Sequence, residues 1–318
     1  MSSEARNSGT RLDLSVVRNV RINRSAVERR AGSIGARRSI KKDWQAAWML
    51  KAVSCIDLTT LSGDDTRGNV LRLCAKAKQP VRRDILSGFG VADIELHVGA
   101  VCVYHNLISD ASEALEGSGI PIASVSTGFP AGQTPFKLRL EEIHESVSAG
   151  ADEIDVVISR SRVLRGEWEE LYREVQECRE ACGAAHMKTI LATGELGTLR
   201  NVARASFVCM MAGADFIKTS TGKEPVNATL PVSLVMIRAI REFADFSGNI
   251  VGFKPAGGIR KAKEALAWLA LIKEELDDRW LSPRLFRFGA SSLLADIERQ
   301  LEHNLTGRYS AFNRHPMA

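Results

Sequence analysis

At 318 residues, 45% hydrophobic and 25% charged, the chain has the composition of a globular protein with a large core, and no apolar run approaches the ~20 residues that cross a bilayer. Its net charge of +5 is unevenly placed: residues 1–42 hold 11 Lys and Arg against 3 acids, or +8, which leaves −3 for the remainder. Six scattered cysteines, with no Cys-x-x-Cys pair and no histidines at zinc spacing, speak against a disulfide framework or a structural zinc and suit a reducing, cytoplasmic compartment, with nuclear presence left open.

Taken in order, the chain opens with a basic arm. Its three acids, its lack of an apolar signal core and its lack of interleaved aromatics speak against a transit peptide or a base-stacking segment. Docking on the main fold, or contact with an acidic partner, is the reading it leaves. The arm leads without a Gly/Pro linker into Lys41–Leu50, which reads as a helix covering part of that fold.

From there one theme recurs eight times: an apolar or β-branched run, a polar loop and a 3.6-period amphipathic segment. The strand candidates are 53–58, 100–104, 122–126, 153–158, 187–192, 216–220, 250–255 and 285–289. Helix candidates between them include 69–77, 138–149, 168–182, 199–212, 232–243, 261–276 and 293–303. Strict alternation predicts a parallel sheet wrapped by helices, and eight units over about 250 residues predict closure as a (β/α)₈ TIM barrel. The first strand lacks a Gly-x-Gly-x-x-Gly turn, which removes the main support for a dinucleotide fold. The expected organisation is a basic arm and covering helix over 1–50, the barrel over 51–305 and a C-terminal tail over 306–318.

In such a barrel the chemistry sits at the C-terminal strand ends. Alternation places Cys55, Asp57 and Thr59 on one face of strand one, Glu153 and Asp155 on one face of strand four, Lys188 on strand five, Lys218 with Ser220 on strand six, and Lys254 with Gly252 on strand seven. A lone strand lysine either snorkels to water or has a task. Convergence of three lysines and two or three carboxylates on one interior argues for the task. Desolvation and mutual repulsion are expected to lower each lysine from ~10.4 toward ~7 and release a neutral amine, the nucleophile of Schiff-base chemistry. Lys218, with a hydroxyl-rich loop beyond it, is the nucleophile candidate, Lys254 the cationic neighbour and Asp155 the proton shuttle. Lys188 and Asp57 complete a charge network.

Two later loops supply the second half of a site. Pro255 to Arg260 places Gly257 and Gly258 where strand seven turns into its helix, and Gly289 to Leu293 places Ser291 and Ser292 after strand eight. Open amides beside small residues make an anion cradle, with phosphate the natural guest, and Thr221-Gly222-Lys223 could add a third wall. The histidines show no ligand spacing and no acidic metal loop appears, so no metal and no cofactor is expected.

With these residues in view, the sequence resembles the deoxyribose-phosphate aldolase family. The resemblance is carried by residues 56–61, 100–104, 150–157, 193–196, 212–223, 251–258 and 288–293, which span nearly the whole barrel. It implies reversible, metal-free cleavage of 2-deoxy-D-ribose 5-phosphate to D-glyceraldehyde 3-phosphate and acetaldehyde, with Lys218 as Schiff-base lysine, Lys254 as the group that depresses its pKa, and Asp155 in the proton relay. The resemblance implies phosphate-loop positions at Gly222, Gly257, Gly258, Ser291 and Ser292; Asp57, Thr221 and Lys223 complete the expected substrate-binding set, the partner is a small sugar phosphate, and a homo-oligomer is compatible with this. His105 departs from the proline that many members carry, and the chain runs past Tyr309, where bacterial members end in a terminal tyrosine. Two rivals stand beside this reading: another Schiff-base aldolase or transaldolase, and a non-catalytic phosphosugar- or nucleic-acid-associated barrel acting through its arm.

Overall fold

A computed structural model describes residues 6–37 and 40–315. Eight strands make one parallel sheet: β1 Ile56–Thr59, β2 Ala100–Tyr104, β3 Ile122–Ser126, β4 Glu153–Val157, β5 His186–Ile190, β6 Phe216–Lys218, β7 Gly252–Lys254 and β8 Phe288–Ala290. Each pairs with its sequence neighbour from β1 to β7, and β8 returns to pair with β1. The seam between β7 and β8 is joined by backbone bonds from Phe253 N–H to the Leu285 carbonyl at 2.9 Å, Arg287 N–H to Phe253 at 3.1 Å and Gly289 N–H to Pro255 at 2.9 Å. The sheet is thereby a (β/α)₈ barrel, as the alternating pattern predicts.

Alternation along the strands sorts the residues into two layers. Ile154, Val156, Ile217 and Phe253 are fully buried in the apolar layer between sheet and helices. Their neighbours in sequence turn inward, and the strand register sets Asp155 beside Lys188, and Lys218 beside Lys254. The helices follow local signals. Thr229 accepts the Val232 N–H to cap Leu230–Ser247, Pro231 sits in that helix's first turn, and Gly248 ends it in a left-handed conformation.

The first unit differs from expectation. The helix Lys42–Ser54 continues through Val53, and the strand begins only at Ile56. Ala46, Met49, Ala52 and Val53 are buried where this helix packs on Ala262–Glu275 and Leu293–Thr306, so tertiary burial decides a run whose β-branched valine suggested a strand. Trp44 lies on the other side, 75% exposed. Helices outside the named candidates form at Leu14–Asn19, Arg24–Arg37, Arg83–Gly88, Ile108–Leu115 and Arg160–Arg165, of which Ile108–Leu115 is the helix that the repeating theme requires after β2.

The arm lies along the outer helical ring. Asn7 is buried and its side-chain amide donates to the Met210 carbonyl at 2.7 Å and the Ala214 carbonyl at 2.8 Å. Arg24–Arg37 packs on Leu230–Ser247 and Ala262–Glu275, where Arg30 bonds Glu275 at 2.9 Å and Glu274 at 2.7 Å. Part of the arm's positive charge is thus matched by acids of the barrel. No helix among the described residues is long and apolar enough to cross a membrane.

Candidate active site

Inside the barrel the charged groups form a closed circuit. Asp155 Oδ2 accepts from Lys254 Nζ at 2.7 Å, and Lys254 Nζ lies 2.6 Å from Asp57 Oδ2. Asp57 Oδ1 accepts from Arg287 Nη1 at 2.6 Å, and Arg287 Nη2 donates to Glu153 Oε1 at 3.0 Å. Glu153 pairs with Lys188, whose Nζ donates back to Asp155 Oδ1 at 3.1 Å. Three carboxylates and three cations alternate around this ring, so it is neutral as a whole. Lys218 stands outside the count: its Nζ donates to Asp155 Oδ2 at 2.7 Å, and its ammonium would be the one excess charge. All seven side chains are buried, with Asp57, Asp155, Lys188 and Lys254 fully so.

This arithmetic separates the lysines, whereas the sequence reading lowers them together. Burial pushes all three down, because a dehydrated ammonium is unfavourable. At Lys218 burial wins, aided by the Lys254 charge and opposed by Asp155, so its pKa falls below the ordinary lysine value. At Lys254 burial is outweighed by Asp155 and Asp57, and the pKa rises. Asp155 and Glu153 likewise overcome burial at Lys188 and raise it. Burial would raise the Asp155 carboxyl too, yet Lys188, Lys218 and Lys254 hold it well below the usual carboxylate range. Of the three lysines, Lys218 is the one pushed downward.

The loops meet above this ring. Gly222 and Gly257 face each other, a Cβ on the former lying 3.8 Å from the Gly257 Cα. At Gly257, φ is +83°, and a Cβ would come within 2.6 Å of the Asn227 Cγ, so both backbone and space require glycine there. Gly258 shares that φ, while Ser292 occupies the position just ahead of Leu293–Thr306 without a side-chain bond to that helix's amides. Ser291, Ser292, Thr60 and Lys223 line a pocket of about 780 Å³ at the barrel mouth, which His315 of the C-terminal tail also reaches. Lys223 stands at the rim and donates to the Leu61 carbonyl at 3.1 Å, across to the loop after β1. The Thr221 and Gly222 amides differ from the expected third wall, because both donate to the Glu224 carboxylate, at 3.0 and 3.1 Å.

Arg287 is the ring member that the sequence reading leaves out, although it occupies the inward position between two phenylalanines of the eighth unit. His105 opens a short 3₁₀ turn ahead of Ile108–Leu115, with Nδ1 3.6 Å from Glu142 Oε1. Tyr309 stacks on His303 and is 82% exposed. Among the described residues no three His, Cys, Asp or Glu side chains gather in a way that could hold a metal ion.

A (β/α)₈ barrel whose strand ends converge on buried lysines and carboxylates defines a barrel enzyme of the aldolase class. The chain belongs to the DeoC/LacD family of aldolases, whose family model matches residues 51–298. It is 64% identical over 312 residues to the deoxyribose-phosphate aldolase of Mus musculus, covering 98% of each chain, and 62% identical over 316 residues to that of Homo sapiens, covering 99% of each. Among solved structures, a putative deoxyribose-phosphate aldolase from Toxoplasma gondii ME49 shares the fold with a TM-score of 0.70 at 22% identity, over 83% of this chain and 97% of that one.

Proposed function

We propose that this aldolase cleaves 2-deoxy-D-ribose 5-phosphate reversibly to D-glyceraldehyde 3-phosphate and acetaldehyde through a Schiff base on Lys218. The observation that carries the reading is the neutral ring of three carboxylates and three cations with Lys218 attached as the excess charge. Loss of the Lys218 proton relieves that excess, and the free amine adds to the C1 carbonyl of the open-chain sugar. Water leaves and a protonated imine remains.

Cleavage then follows from charge. The imine draws the C2–C3 bonding electrons toward nitrogen as the C3 hydroxyl loses its proton, giving glyceraldehyde 3-phosphate and an enamine. Protonation at C2 and hydrolysis release acetaldehyde and restore the amine. Asp155 is assigned the passing of protons in these steps, a reading supported by its Oδ2 accepting from both Lys218 and Lys254, while Lys254 stays charged and disfavours the Lys218 ammonium. Gly258, Ser291, Ser292 and Lys223 are assigned to the phosphate, and the identities to the two mammalian enzymes support the substrate. Borohydride reduction with acetaldehyde tests the assignment: peptide mass mapping should find the added ethyl group on Lys218, and an adduct on Lys188 or Lys254 instead would overturn it.

A further inference from the structure

Thr221 and Glu224 have the spacing of a helix capping box, yet residues 221–229 form a loop and no helix begins before Leu230. The Glu224 carboxylate, only 8% exposed, accepts the Thr221 hydroxyl at 2.8 Å in addition to the Thr221 and Gly222 amides. Thr221 Oγ1 accepts in turn from the Lys223 N–H at 3.1 Å, and Asn227 Nδ2 donates to the Glu224 carbonyl at 2.8 Å. Asn227 also fills the space that a Cβ on Gly257 would enter. The Glu224 carboxylate thus folds the loop after β6, while the backbone carbonyl of Glu224 holds Asn227, which packs against the loop after β7.

Two consequences follow. The amides of Thr221 and Gly222 are turned toward an anion of the chain itself and are not free for a phosphate. What the loop can offer a phosphate is Lys223, and the direction of Lys223 is set by the turn that Glu224 holds. We propose that Glu224 is a positioning residue for substrate selection: by fixing this turn it aims Lys223 over the mouth beside Ser291 and Ser292, and so gives the site its preference for a phosphorylated sugar over its unphosphorylated counterpart. The inference rests on the aldolase reading given above. A carboxylate so near a phosphate site repels the dianion, and that cost is accepted because the turn depends on its oxygens.

The test compares Glu224→Ala and Glu224→Gln with the unaltered enzyme on 2-deoxyribose 5-phosphate and on 2-deoxyribose. Alanine should raise KM for the phosphate ester about tenfold more than KM for the free sugar, with a smaller change in kcat. Glutamine, whose amide oxygen can still accept from the loop, should recover most of that selectivity. An unchanged KM ratio in the alanine variant would overturn the inference, and so would a lowered KM for the ester, which would make Glu224 a competitor of the phosphate. Acetaldehyde carries no phosphate, so its trapping on Lys218 reports the aldolase reading separately. If the unaltered enzyme forms no such adduct, that reading fails, whatever the KM ratio shows.

Discussion

The barrel interior and the loops above it solve opposite problems with opposite means. Within the barrel, charges are packed without water and must cancel one another: Asp57, Glu153 and Asp155 each touch two or more cations, and the pairing is so complete that one lysine is left over. Above it, in the proposed function, an anion is to be received rather than cancelled, and the mouth presents glycines with positive φ, serines and a rim lysine. On the proposed reading, reactivity comes from an imbalance of one charge in a dry place, and binding from donors held open at the edge of water. Glu224 crosses this division, being an interior-style carboxylate used to shape a rim loop.

The largest expected effect tests the odd lysine. Lys218→Ala should lower cleavage by on the order of 10⁴-fold or more and abolish the acetaldehyde adduct; a steady-state assay with reductive trapping checks both. Next comes the ring. Arg287→Met leaves Asp57 and Glu153 short of a partner in a buried site, and urea unfolding should show a loss of about 3–5 kcal/mol. A variant of unaltered stability would mean that the ring is not closed in solution.

Lys254→Met tests the activation of Lys218. The sign runs from charge: without the neighbouring ammonium, the protonated form of Lys218 is less disfavoured, its pKa rises and a smaller fraction is neutral near pH 7. The acidic limb of kcat/KM should move to higher pH by about 1–2 units. Smallest is the rim. Ser292→Ala should raise KM for the phosphorylated sugar by roughly 10-fold with little change in the pH profile, the lower end of the about 1.5–3 kcal/mol that a hydrogen bond to a charged group is worth.

Much of this was legible in the residues. Period-two alternation puts Asp57, Asp155, Lys188, Lys218 and Lys254 on inward faces, and the recurrence of strand and helix implies a closed barrel. Arg287 could have been found by the same rule, flanked as it is by Phe286 and Phe288. What alternation cannot supply is partnership. Whether Lys254 meets one carboxylate or two depends on the stagger between strands that a barrel imposes, and that count reverses the direction of its pKa. The arm shows a similar limit: Val27, Ala31 and Ile34 recur at helical spacing and are buried, but among so many arginines the stripe is narrow. The Thr221-x-x-Glu224 signal was present as well, in a place where no helix follows it.

Asn7 gives the arm a place in the order of synthesis. Its carbonyl partners, Met210 and Ala214, stand 203 and 207 residues further along the chain, in the turn that feeds the strand carrying Lys218. Asn7 therefore has neither partner until the turn into the sixth strand has been made. A contact spanning 203 to 207 residues closes a long loop, and long-range closure of that kind is slow. A segment made before its partners thus acts as a check on progress, since Asn7 can anchor the turn ahead of the lysine strand only once the units up to that turn exist.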